Sequence, residues 1–315
     1  MSYFHQSVLL DEVIHYLKPQ PGQKFIDCTL GGGGHTLGIL KRTLPGGKVL
    51  GIDLDNEAIK ATDQKAKELK LKNNLVLVQD NFRNIGRVAK ENGFGKVDGI
   101  LLDLGLSSAQ LHNHDRGFSF LSEGGLDMRF GHQTKITASE ILNTYPEKKL
   151  YEIFKNFGEE RLSKPISQKI IEIRRQTPFA SSQQLVDLVA AIYKKYYRHD
   201  SKVNPATKVF QALRIAVNEE LENLEEVLPQ AIKLLAKGGR LAVISYHSLE
   251  DRTVKNFFQQ ESKGCICPPK MPVCQCKHKK TLQIITKKPI TPTEEEITLN
   301  HRSRSAKLRI AEKIN

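Results

Sequence analysis

Four acidic residues close short apolar runs along the first third of the chain. Asp27-Cys28-Thr29-Leu30-Gly31-Gly32-Gly33-Gly34-His35 ends the run KFIDC. A glycine run after a strand lets a ligand approach the backbone closely, beside the N-terminus of the next helix. Asp53 closes KVLGID, 22 residues after Gly31. An acid at that offset hydrogen-bonds the ribose hydroxyls of a nucleoside. Asp55 beside it reads as a helix N-cap. In Asp80-Asn81-Phe82 an acid and an aromatic can read an adenine edge and stack on its face. Asp103 closes GILLD, where a carboxylate points into a crevice fit for chemistry. Cys28 reads as a small packing residue beside the glycine loop.

These residues need a frame that brings strand ends together. Strands are expected at Lys24–Cys28, Lys48–Asp53, Leu75–Val78 and Val97–Leu102, with helices from about His35 to Thr43 and over Asn56–Leu69. Alternating strands and helices, with short buried strands, imply a parallel doubly wound sheet, which binds nucleotides at its carboxyl edge. Residues 109–136 have no clear period and read as a structured loop. Thr137–Glu140 is a capping box, and helical segments follow near 147–156, 162–175 and 182–196. Asn204-Pro205 opens a further helix reaching toward Lys237, stopped by Gly238-Gly239. Arg240–Ser245 is a fifth strand, and Leu282–Thr286 with Ala306–Ala311 forms an antiparallel pair at the sheet edge.

Two cofactor classes suit this α/β frame, a dinucleotide or S-adenosylmethionine. The glycine run lacks a clean G-x-G-x-x-G fingerprint, and the terminal antiparallel pair suits a class I, Rossmann-like methyltransferase better than a dehydrogenase. The expected organisation is an adenosylmethionine-binding catalytic domain from residues 1–108 and 213–315, with residues 109–212 an inserted helical substrate-recognition domain.

Charge points to a polyanionic partner. The 315 residues carry a net +13, and residues 262–315 alone hold 12 basic against 4 acidic side chains. Residues 106–213 hold 16 against 11. Excess positive charge confined to the middle and tail fits a nucleic acid touching both regions. At 39% hydrophobic residues, a core can form. No apolar run approaches the ~18–20 residues of a membrane helix. The N-terminus lacks a basic-then-apolar leader, so a cytoplasmic chain is expected.

Other residues invite chemistry. Arg116, Phe118 and Phe120 offer charge and stacking surface for an unstacked base, or an ordinary loop core. His247-Ser248-Leu249-Glu250-Asp251 resembles hydrolase components, but there is no G-x-S-x-G elbow. Cys265-x-Cys267 and Cys274-x-Cys276, six residues apart, have the makings of a zinc site with His278 in reserve. A basic hairpin with reduced thiols is the alternative, and no metal is assigned. Cys267-Pro268 sits too far along the chain from Asp103 to be its nucleophile.

Ten segments together resemble the RsmH (MraW) family of bacterial small-subunit ribosomal RNA methyltransferases: HQSVLLDEV, DCTLGGGGHT, GIDLD, DGILLDLGLSS, RGFSF, LDMRF, GEER, NPATKVFQALRIAVNEEL, GGRLAVISYHSLEDR and RSRSAKLRI, in this order. The resemblance implies methyl transfer from S-adenosylmethionine to the N(4) amine of a decoding-region cytidine in 16S ribosomal RNA. It implies cofactor contacts at Gly33, Gly34, His35, Asp53, Phe82, Asp103 and Gln110. Asp103 either contacts the cofactor or orients the amine. His112, Gly125 and His301 depart from the family's pattern outside this set. The implied partner is small-subunit ribosomal RNA within the assembling 30S subunit, with no membrane and with a homodimer left open. The rival readings are a dinucleotide-dependent oxidoreductase and a non-catalytic RNA-binding protein.

Overall fold

The computed structural model describes residues 7–105, 117–118, 125–131, 134–197, 204–268, 271 and 273–315. The chain divides into two compact units, one of Met1–Gly105 with Leu221–Asn315 and one of Leu106–Glu220.

The first unit is built on a seven-stranded sheet in the order β3-β2-β1-β4-β5-β7-β6. The strands are β1 Lys24–Asp27, β2 Lys48–Asp53, β3 Leu75–Gln79, β4 Val97–Asp103, β5 Leu235–Ser245, β6 Leu282–Ile284 and β7 Lys307–Lys313. The first five are mutually parallel, and β7 runs antiparallel to both β5 and β6. This is the Rossmann-like α/β sheet with a terminal antiparallel pair. Alternation along each strand feeds two cores, because successive side chains point to opposite faces. Ile26, Leu50, Ile100, Leu102 and Val243 pack on one face with Val88, Leu228 and Phe258. Phe25, Val49, Leu101, Ile244 and Leu308 pack on the other with Val13, Leu17 and Leu40. Cys28 is buried in the first of these cores.

Helices α1 Leu10–Leu17, α2 Gly34–Thr43, α3 Asn56–Glu68 and α4 Ile85–Glu91 belong to this unit. Asp55 caps α3 by accepting from Glu57 N at 3.0 Å.

The second unit is helical, with α5 Ala138–Thr144, α6 Glu147–Phe157, α7 Ser163–Arg174, α8 Ser182–Tyr196 and α9 Thr207–Asn218 around one core. The Thr137 capping box opens α5. Asn218 ties down the LDMRF segment, since its Nδ2 donates to Met128 O at 2.7 Å and its Oδ1 accepts from Phe130 N at 2.8 Å.

Two expectations fail here. The long segment toward Lys237 is two helices, α9 and α10 Glu220–Leu234, divided where Glu219 adopts φ 51°. A left-handed residue ends the first helix. Gly238-Gly239 does not stop a helix, because α10 ends earlier and the pair lies inside β5. Gly238 takes φ +79°, and a Cβ at Gly239 would sit 2.9 Å from Ala236 O. The register of β5 against β4 shifts there, as at a bulge.

Candidate active site at the carboxyl edge of the sheet

Strand order sets the site. The chain reverses direction across the sheet at β1, between β2 and β4, and the crevice of a doubly wound sheet opens at such a switch point. Asp27 closes β1, Asp53 closes β2 and Asp103 closes β4, so three carboxylates share one edge.

The glycine turn is held by Asp53. Gly31 N donates to Asp53 Oδ2 at 2.8 Å, and Asp55 N donates to its Oδ1 at 2.8 Å. Each oxygen keeps a further lone pair for an O–H donor. Burial pushes the Asp53 carboxyl up to about 6, against these two N–H bonds. Gly33 takes φ +77° as N-cap of α2, a conformation open to glycine without strain. A Cβ on Gly33 would meet the Thr62 side chain at 2.6 Å, and one on Gly34 would lie 2.0 Å from Ser7 Oγ. Ser7 Oγ and Thr62 Oγ1 are buried without a hydrogen-bond partner among the described residues. The Lys65 ammonium holds the turn from α3, donating to Gly32 O at 3.1 Å.

Asp27 is structural. It accepts from Thr36 Oγ1 at 2.6 Å and from Thr29 N at 3.2 Å. Thr29 Oγ1 in turn accepts from Asp103 N at 2.6 Å, linking the ends of β1 and β4. Burial raises Asp27 to about 6, with the Thr36 and Thr29 hydrogen bonds opposing it.

Among the described residues, the side chains of Tyr246 and His35 approach the Asp103 carboxyl. Tyr246 OH donates to its Oδ1 at 2.8 Å, and its Oδ2 lies 3.7 Å from His35 Nδ1. His35 Nε2 is 2.9 Å from Val8 O. A carbonyl only accepts, so Nε2 carries the proton and the neutral ring turns its Nδ1 lone pair toward Asp103. Burial lowers the His35 pKa, consistent with the neutral form. Burial pushes the Asp103 carboxyl up to about 7; the Tyr246 bond opposes this and the Glu250 charge adds to it. A carboxyl near neutrality can accept and give back a proton.

Asp80, Phe118 and His247 are placed differently from expectation. Asp80 does not present a free edge to a base: its Oδ1 accepts from Asn81 N at 2.7 Å and Asn84 Nδ2 at 2.8 Å, and its Oδ2 pairs with Arg87. Phe82 opens a short 3-10 turn and packs, partly buried, against the sheet core. Phe118 is buried and stacked on Phe130, with centroids 5.7 Å apart, so it is core in the second unit and no stacking surface. His247 and Glu250 form the capping box of α11 Ser248–Glu261. Gln110, Arg116 and Phe120 lie outside the described residues.

Sequence reasoning missed Tyr246. It sits two residues beyond the last β5 residue paired with β4, and strand adjacency alone brings it to Asp103. A Tyr at the end of the strand next to the one closed by Asp103 was the available signal.

One buried and two partly buried carboxylates around a glycine turn suit a ligand that brings O–H donors and positive charge. They suit a pyrophosphate poorly, since like charges within a few ångströms repel. A sulfonium nucleoside with a ribose diol has the required character.

The comparisons agree. The chain is 50% identical over 315 residues to the ribosomal RNA small subunit methyltransferase H of Heliobacterium mobile, covering 100% of each. It is 47% identical over 314 residues to the protein of that name from Dehalococcoides mccartyi, covering 100% of this chain and 88% of that one. Among solved structures, an rRNA methylase from Streptococcus thermophilus is similar over 98% of both chains, with 10% identity and a TM-score of 0.45. The profile of the MraW methylase family matches residues 2–314. The methyl donor is S-adenosylmethionine, and the chain belongs to the MraW methylase family.

Proposed function

We propose that this chain methylates the N(4) amine of a cytidine in the decoding region of 16S ribosomal RNA, in the cytoplasm, on RNA within the assembling 30S subunit. The observation that carries this reading is Asp103, a partly buried carboxyl closing β4 at the open edge of the sheet, with Tyr246 OH donating to its Oδ1 at 2.8 Å. The relatives' names add the RNA class.

The cofactor supplies an electrophilic methyl on a sulfonium. Asp53 accepts from the ribose hydroxyls with the lone pairs left over from Gly31 and Asp55. Gly33 and Gly34 keep the turn open, His35 follows them in α2, and Phe82 and Gln110 are assigned to the cofactor by their motifs.

A cytosine amine is a weak nucleophile, because its lone pair conjugates with the ring. Orientation and acceptance of its N–H must therefore come from the protein. Asp103 Oδ2 can accept that N–H as the nitrogen pyramidalises, while Tyr246 fixes the other oxygen. Arg302 and Arg304, both exposed on the 3-10 turn His301–Ser305, are assigned to the RNA backbone. The test is mass spectrometry of ribosomal RNA nucleosides from cells with and without the gene. Loss of N(4)-methylated cytidine on deletion supports the reading, and an unchanged nucleoside set overturns it.

A further inference from the structure

Between α11 and β6, the described residues of 262–280 hold no regular structure, and none of them is buried. Ile266 and Val273 are exposed, so apolar packing does not hold this segment. Its base is closed by Thr281, whose N donates to Glu261 O at 2.9 Å and whose Oγ1 donates to Glu261 Oε2 at 2.5 Å. His278 lies against α11, with Nε2 3.2 Å from Gln260 O.

Four thiols nevertheless converge in it. The Sγ atoms of Cys265, Cys267, Cys274 and Cys276 all lie within 4.8 Å of one another. Cys265 and Cys274 are 3.4 Å apart, Cys274 and Cys276 3.6 Å, and Cys276 and Cys265 3.8 Å. A tetrahedron with zinc–sulfur arms of ~2.3 Å has edges of ~3.8 Å. These three separations are near those edges and far exceed a disulfide bond of ~2.05 Å. Backbone N–H groups also face sulfur: Ile266 N to Cys276 at 3.5 Å, Cys267 N to Cys265 at 3.4 Å, and Gln275 N to Cys267 at 3.4 Å. Such donors stabilise thiolates, which are the metal-binding form.

We infer that Cys265, Cys267, Cys274 and Cys276 bind one structural zinc ion that folds this loop. Each thiol gives up its proton on binding, leaving a site of charge −2. Lys263, Lys277, Lys279 and Lys280 on the same loop offset that charge. Four thiolates fill the coordination sphere, so the ion takes no part in catalysis. His278 is occupied at α11 and is not a ligand. The tight Cys-x-Cys arms place one thiol pair on each strand of the loop, and the metal bridges the two strands as a disulfide would in an oxidising compartment.

The test uses the full chain, purified without a histidine tag under reducing conditions. Elemental analysis should find one zinc per chain after exhaustive dialysis. Chelator-stripped protein given cobalt(II) should develop the ligand-field and sulfur-to-metal charge-transfer bands of a tetrahedral tetrathiolate. Trypsin should cut at Lys277, Lys279 and Lys280 at least tenfold faster once the metal is removed. The Cys265→Ser/Cys274→Ser double variant should lose the zinc. Metal-free protein with four freely alkylated thiols, two disulfides found by mass, or iron in place of zinc would each overturn the inference. The wild-type measurements decide the matter even if the variant fails to fold.

Discussion

Replacing Tyr246 by Phe removes one hydroxyl and keeps the ring. That hydroxyl is the donor to Asp103 Oδ1 at 2.8 Å, in a site where burial already pushes the carboxyl up to about 7. A hydrogen bond to a charged group contributes ~1.5–3 kcal/mol. Losing it penalises the ionised form only, and at 1.36 kcal/mol per unit the pKa climbs by ~1–2 units. If ionised Asp103 accepts the amine proton, activity is lost as pH falls through its pKa. The acid limb of the kcat profile should therefore move ~1–2 units toward alkaline pH, with the plateau retained. On the acid limb, where the rate follows the ionised fraction, turnover at a given pH should fall ~10–100-fold. Initial rates at saturating cofactor across the pH range provide the assay, with thermal melting as the folding control. A lowered plateau on an unshifted limb, in a folded variant, would refute the role given to Asp103.

Asp53→Ala should weaken S-adenosylmethionine binding ~10- to 100-fold, the worth of a charge-assisted hydrogen bond, and calorimetry on the folded variant checks it. Asp103→Asn should cut turnover ~100-fold or more, the usual size of a lost general base; measuring cofactor affinity beside turnover separates its two roles, and full methylation by a folded variant removes it from both. Asp27, Asp53 and Asp103 reach about 6, 6 and 7 in the fold from 3.8. The native state therefore binds more protons than the unfolded chain across that window, and the cofactor-free protein should lose stability as pH rises from ~4 to ~7. Denaturant midpoints should show this slope, with Asp103→Asn flattening it; a slope unchanged by the substitution contradicts the raised value. Arg302→Glu with Arg304→Glu should weaken RNA binding and flatten its salt dependence while cofactor affinity holds. Equal salt slopes in two well-folded proteins would leave these arginines without an RNA role.

The three strand-closing acids, Asp27, Asp53 and Asp103, were legible because apolar runs ending in Asp mark where a buried strand meets the open edge. Strand β2 lies where its apolar run places it, at Lys48–Asp53. The site beyond those acids was less so. Tyr246 reaches Asp103 across β4 and β5, a contact set by strand order and invisible to local spacing. Asp80 looked like a base reader until Arg87, one turn into the next helix, claimed its carboxylate. Phe118 could not be told from a stacking residue, because an aromatic beside glycine fits either role and only Phe130 decides it. The break at Glu219 carried no glycine to announce a left-handed residue. The convergence of Cys265 and Cys274 depends on how the loop folds back, which two short Cys-x-Cys arms do not specify.

Transfer of a deuterated methyl group tests the central claim most directly. The purified chain is incubated with methyl-deuterated S-adenosylmethionine and small-subunit particles from cells lacking the gene. The RNA is then digested to nucleosides and resolved by chromatography and mass spectrometry. The label should appear in N(4)-methylated cytidine within a decoding-region fragment, and Asp103→Asn should abolish it. Label on ring carbon C5, label on another base, or no transfer by a folded, cofactor-binding protein would contradict the account.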